Sequence, residues 1–234
     1  MSAAYAVSFF DPDRELYGTV RSGATILFDG SKPAAYAEEA RIEPEDDGWR
    51  AELDGRLSLQ LTRVGPEVQL GLITARVCRV SGEVAGRRVA CLGTVAVTRQ
   101  PPRWEELDAL RSVSALVDED YAMLAMARRP RGAPGHGEEV VRAGLIRDGE
   151  LLEIEDARIS TVYDGDGRQR SAGLELWPVG EDFSRRGSGQ AIAGSSLELD
   201  VVRVHAAVFR WRIEGRDGIG AYELMVRNEP PSAA

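Results

Sequence analysis

Apolar and polar positions alternate with a period of two along most of the chain. The runs VSFF, LYGTVRS, ATILFDG, WRAELDG, LSLQLTRV, LITARVCRVSGEV and RRVACLGTVAVTR are separated by residues such as Gly, Pro and Asp, the signature of antiparallel strands joined by tight turns. Beyond Arg99 the alternation stops. QPPRWEELDALRSV sets two prolines ahead of Glu105, Glu106 and Asp108 and spaces Leu107 and Leu110 three apart, which predicts a short helix within 101–112. Strands then resume with VSALVD, YAMLAMAR, VVRAGLIRDG, LLEIEDARISTVYDGDG, SAGLELW, SLELDVVRVHAAVFRWRIEG and GAYELMVR. The fold class expected is all-β with one linking helix.

The pattern also repeats itself. Asp11, Asp13 and Arg21 stand at one common offset from Asp118, Asp120 and Arg128. ATILFDG, ending at Gly30, matches AGLIRDG, ending at Gly149, and Ala40-Arg41-Ile42 matches Ala157-Arg158-Ile159. Near the ends, Gly86-Arg87 and Gly93 match Gly215-Arg216 and Gly220. Matching blocks in one order point to an internal duplication. The expected organisation is a first β unit over 1–100, a linker helix over 101–112 and a second β unit over 113–234. A unit of that size must close or cover its strand edges, so each is expected to curl into a barrel. Within 203–213, alternation places Arg203, His205, Ala207, Phe209 and Trp211 on one face and Val202, Val204, Ala206, Val208, Arg210 and Arg212 on the other.

Composition narrows the function. Thirty-eight acidic residues against 29 basic give a net charge of −9, which on average repels nucleic acid and anionic membranes. No apolar run reaches the ~20 residues that span a bilayer, and the first residues lack a signal-peptide pattern, so a cytoplasmic location is expected. Cys78 and Cys91 cannot build a zinc site by themselves and are expected to be free, buried thiols. The sole lysine, Lys32, sits in the turn-like DGSKP, a poor setting for Schiff-base chemistry. No G-x-S-x-G, P-loop or G-x-G-x-x-G after a strand is present, and His136 and His205 are the only histidines.

Two motifs carry a family likeness. The opening aromatic-D-P-D-x-x-L-x-G stands as Phe10-Asp11-Pro12-Asp13-Arg14-Glu15-Leu16-Tyr17-Gly18, and the closing G-R-x-G-x-G-x-Y-E as Gly215-Arg216-Asp217-Gly218-Ile219-Gly220-Ala221-Tyr222-Glu223. With the tandem of barrels, they resemble the hydroxyneurosporene synthase (carotenoid 1,2-hydratase) and AttH-like superfamily of tandem lipocalin-like barrels. The resemblance implies two lipocalin-like antiparallel β-barrels, a cavity for a hydrophobic isoprenoid or polyketide-like molecule, and chemistry without a cofactor. Where many relatives carry Arg-Asp-x-Ser-Trp-Gly at the start of the second barrel, this chain has Leu110-Arg111-Ser112-Val113-Ser114.

Hydration or cyclisation of an alkene needs a proton donor in an apolar cavity and aromatic faces that stabilise positive charge. Glu223 in the closing motif, Glu175 beside Trp177, and His205 are the candidate catalytic groups, with Trp211, Phe209, Trp177, Tyr163 and Arg203 as candidate substrate-binding residues. Asp118 and Asp120 are expected to serve turns. His136 lies in the Gly/Pro-rich stretch 131–139, an insertion relative to the first repeat, read either as a surface loop or as a lid over a barrel mouth. No metal site and no cofactor are expected. Two functions remain open: an acid–base cyclase, hydratase or isomerase, and a non-catalytic carrier of a hydrophobic ligand. Dimerisation is open too.

Overall fold

In the computed structural model, which describes residues 3–21 and 23–228, the alternating runs form two antiparallel sheets of nine strands each. The first contains β1 (Ala4–Asp11), β2 (Leu16–Arg21), β3 (Ala24–Asp29), β4 (Lys32–Tyr36), β5 (Arg41–Glu45), β6 (Gly48–Leu53), β7 (Leu57–Gln69), β8 (Ile73–Val84) and β9 (Arg87–Thr98). The second contains β10 (Leu107–Leu116), β11 (Tyr121–Pro130), β12 (Val140–Arg147), β13 (Glu150–Leu152), β14 (Ile154–Tyr163), β15 (Gln169–Pro178), β16 (Arg185–Glu198), β17 (Val202–Ile213) and β18 (Arg216–Arg227). The strand order is β4-β3-β2-β1-β9-β8-β7-β6-β5, and the second sheet repeats it with nine added to every label. Local details repeat as well. Ala85-Gly86 and Glu214-Gly215 turn β8 into β9 and β17 into β18, all four at positive φ, the backbone that tight hairpins demand. Leu70 N–H donates to the Ile73 carbonyl as Leu199 N–H does to Val202. Asp11 and Asp118 each accept a backbone N–H of the turn they open, from Arg14 and Asp120.

Alternation fills three cores. One face of the first sheet encloses Phe9, Trp49, Leu59, Leu61, Cys78 and Val80. One face of the second encloses Met123, Leu174, Phe209, Trp211 and Tyr222. The remaining faces meet each other through Phe10, Tyr17, Phe28 and Val77 on one side and Leu110, Leu124, Met126 and Val208 on the other. Strands at this junction are buried on both faces, which is why β11 reads as the nearly unbroken apolar run YAMLAMA.

The expected linker helix is not there. Residues 104–106 form a turn and β10 begins at Leu107, inside the segment assigned to the linker. A register shift between Leu107 and Ala109 lets Leu107 and Leu110, three apart, both reach the junction between sheets. A β-bulge thus imitates helical spacing. Glu105 and Glu106 are spent on surface pairs with Arg103, at 3.2 and 2.7 Å. Among the described residues the single helical segment is the 3-10 turn His136–Glu138, and no helix is long and apolar enough to cross a membrane.

Both cysteines are free, Cys78 buried as expected and Cys91 half-buried, and burial pushes each thiol up to about 12. The thiolate is the reactive form, so neither should react with Ellman's reagent in the native protein at neutral pH, and both should in urea. Rapid native labelling would contradict the buried placement. The sign of the linkage follows: with ordinary thiols ionising near 9, this contribution to stability is whole below pH 9 and is lost as pH climbs toward 12.

Candidate functional site

The closing strand β18 faces two ways. Tyr222 and Leu224 point into the second barrel, while Ile219, Ala221 and Met225 belong to the junction between the sheets. Glu223, on that same junction face, meets residues of the first sheet. Its carboxylate accepts the Thr19 hydroxyl at 2.7 Å and an Arg21 N–H, and Arg21 also reaches the Met225 sulfur at 3.8 Å. Thr19 and Glu223 are buried. Beside them lies a cavity of about 60 Å3 whose walls include Ser8, Thr94 and Ala96 of the first sheet and Ser112, Ser114 and Ala221 of the second. That is room for a few waters or the reacting end of a larger molecule. Among the described residues, Glu223 and Arg21 are the only charged side chains in a wall of small, aliphatic and hydroxyl-bearing residues. Glu223 is thus an arginine-paired carboxylate, with its arginine supplied by the other copy of the repeat.

Inside the second barrel, Phe209 stacks on Trp211 with ring centroids 5.4 Å apart and tilts against Tyr222 at 5.6 Å. His205 is on the same face of β17, buried, with Nδ1 2.7 Å from Ser196 Oγ. Burial, assisted by Arg203, holds the His205 imidazole below its ordinary value. As pH falls through the usual histidine range the unfolded chain therefore takes up a proton that the folded one resists, and stability drops. His205→Gln should flatten the pH 7 to 5 part of a urea-midpoint profile; an unchanged slope would remove His205 as its source.

Three residues expected at the site lie elsewhere. Inward positions of β15 are Ala172, Leu174 and Leu176, so Glu175 and Trp177 point outward, Glu175 to Arg186 at 3.2 Å and Trp177 beneath Arg158 at 5.0 Å. Arg203, at the exposed start of β17, pairs with Glu198. The three share faces with aromatic or ionisable neighbours in the sequence, but strand parity puts Glu175 and Trp177 on the half-buried outer face of β15, and Arg203 is exposed.

The barrel also holds residues that the sequence did not single out. Arg111 is 1% exposed and donates to Tyr222 Oη at 3.2 Å, Thr161 Oγ1 at 3.1 Å and the Ile159 carbonyl at 3.2 Å. Its other terminal nitrogen binds Glu139, whose second oxygen is 2.7 Å from His136 Nδ1. His136 Nε2 is 3.2 Å from Tyr163 Oη. Within this relay, Tyr163 is one of the expected substrate-binding residues and His136 belongs to the stretch expected to form a surface loop or a lid. The one further signal in the sequence was parity within the closing motif, where Tyr222 and Glu223 must face opposite sides.

No protein-family model matches this chain, and no curated protein matches it in sequence. Solved structures do. An AttH-like protein from Nitrosomonas europaea superposes with a TM-score of 0.58 at 13% identity, covering 95% of this chain and 91% of that one. Kievitone hydratase from Nectria haematococca superposes with a TM-score of 0.57 at 10% identity, covering 97% and 89%. The fold is that of the tandem lipocalin-like barrel proteins.

Proposed function

We propose that this tandem lipocalin-like barrel protein is an acid–base enzyme of hydratase or isomerase type, acting on a hydrophobic small molecule at the cavity between its two sheets. The observation that carries the reading is the placement of Glu223, a buried carboxylate in a largely apolar and hydroxyl-lined chamber, held from the opposite sheet by Arg21 and Thr19. A charge pair in such a wall is costly to bury, and sites of that kind are where proton transfer is commonly staged. The kievitone hydratase neighbour supports addition or removal of water as the reaction class.

In the dehydration direction, Glu223 takes the proton from the carbon next to a hydroxyl. The C–H electrons form the double bond while the C–O bond breaks. Arg21 hydrogen-bonds the departing oxygen, and the proton passes from Glu223 to that oxygen to complete a water. Hydration is the same path reversed, with Ser8, Thr94 and Ser112 offering hydroxyls to the incoming water. Leu70, Ile73 and Leu124 supply apolar contact for the rest of the molecule. No step uses a cofactor.

The carrier reading has one observation in its favour: both oxygens of Glu223 are already engaged within the protein. Protein purified from its own host, studied by native mass spectrometry and solvent extraction, separates the two. An extracted hydrophobic molecule that gains or loses a water on incubation with the protein, and does not with Glu223→Gln, supports the enzyme. A bound molecule that returns unchanged supports the carrier, and conversion at native rate by Glu223→Gln overturns the assignment of Glu223.

A further inference from the structure

The buried Arg111 in the second barrel is not required by the fold. The crossing of β10 with β18 at Ser114 and Gly220 corresponds to that of β1 with β9 at Ser8 and Gly93, and the paired registers then match Arg111 to Tyr5 and Tyr222 to Val95. The first barrel packs Val95 in its apolar core, with Tyr5 against it. The same architecture is therefore built once without a guanidinium at this place. In the second barrel that guanidinium is buried against Tyr222, and burying it is unfavourable unless an anion meets it.

The anion present is Glu139, and its origin is unusual. It is the last residue of the Gly/Pro-rich stretch 131–139, which has no counterpart where β2 turns into β3. The loop reaches back across the barrel mouth, with its 3-10 turn exposed at His136–Glu138, and lowers one carboxylate to complete burial. Around that carboxylate, Arg111 is already shaped by Tyr222 Oη and Thr161 Oγ1, which also contact each other at 2.6 Å. Arg111 Nε–H makes no hydrogen bond among the described residues, leaving one donor of the fork unused.

We propose that the interior of the second barrel is a carboxylate-binding site, for an amphipathic carboxylic acid, which Glu139 occupies from within as a displaceable plug. The ligand's carboxylate takes the place of Glu139 on Arg111, bidentate through the terminal nitrogen and the unused Nε–H, as guanidinium geometry favours. Its apolar body lies along the mouth against Val141, Tyr163 and Val226, which already pack on the barrel core. Glu139 then swings out to water with the loop, giving up its contact with His136. This site is separate from the chamber of Glu223 and does not depend on the function proposed there.

The test uses octanoate as the probe and octanol as its neutral counterpart, titrated calorimetrically into the full chain. Octanoate should bind, and Glu139→Ala, by removing the internal competitor, should bind it at least about tenfold tighter, while octanol gains nothing. Arg111→Leu combined with Glu139→Leu replaces the ion pair by apolar volume that a core tolerates and should lose the preference for acid over alcohol. In the unaltered protein, octanoate but not octanol should speed tryptic cleavage after Arg131 as the loop leaves the mouth. Glu223→Gln should change none of this. Equal gains for acid and alcohol, an affinity indifferent to Glu139→Ala, or cleavage unmoved by octanoate would each overturn the proposal.

Discussion

A Gly220→Ala chain is expected to lose at least about 3 kcal/mol of unfolding free energy, and Gly93→Ala a comparable amount. A Cβ at position 220 would stand under 3.0 Å from the Ser114 carbonyl carbon and oxygen, and one at 93 equally close to the Ser8 carbonyl oxygen and to Val80. Main-chain atoms cannot rotate aside as a flexible side chain does. Relief would require parting β18 from β10, or β9 from β1, where each pair is the central seam of its sheet. Gly137→Ala is the control, with open space around its would-be Cβ and an expected change within about 0.5 kcal/mol. Urea melts of the three variants decide it; a Gly220→Ala midpoint equal to that of the unaltered protein would mean that the seam has slack the structure does not show.

That pair of glycines was legible in the sequence because a repeat aligns positions with the same backbone constraint. Period-two alternation was equally informative for most strands. It failed where the constraint was not local. Leu107 and Leu110 read as helical because nothing in the sequence announces a bulge. Glu175 and Trp177 share a face with each other, as alternation says, but alternation alone does not say which face is outside. For β18 the ambiguity is deeper: both faces are buried, one in a barrel and one between sheets, so hydropathy does not say which of Tyr222 and Glu223 faces the barrel and which the junction. The contact of Arg111 with Glu139 joins residues 28 apart across a loop, and only the closed barrel brings them together.

Glu223→Gln should lower turnover by about 10²- to 10⁴-fold, the range general acid–base groups contribute, while the variant stays folded and still retains the extracted ligand. The amide keeps the volume of the carboxylate and can still accept the Thr19 hydroxyl, but it cannot carry a proton between two oxygens or a carbon and an oxygen. Arg21→Met serves a different purpose. It leaves the carboxylate buried without its cation, so stability as well as rate should suffer, and comparison of the two variants separates chemistry from support. If Glu223→Gln loses ligand and stability together, the residue is a structural clasp between the sheets.

The duplicated sheets are not equal partners at their junction. Matching registers place Ala96 of the first copy where the second has Glu223, and Leu124 and Met126 of the second where the first has Thr19 and Arg21. A symmetric pair of identical chains could not make that distinction, because any residue gained on one side of the axis would appear on the other. Within one chain the two copies are free to differ. One side could become charged while its mirror stayed greasy, so that a molecule entering the chamber meets a defined head and tail. Under the proposed function, that difference between the two halves is what orients the substrate.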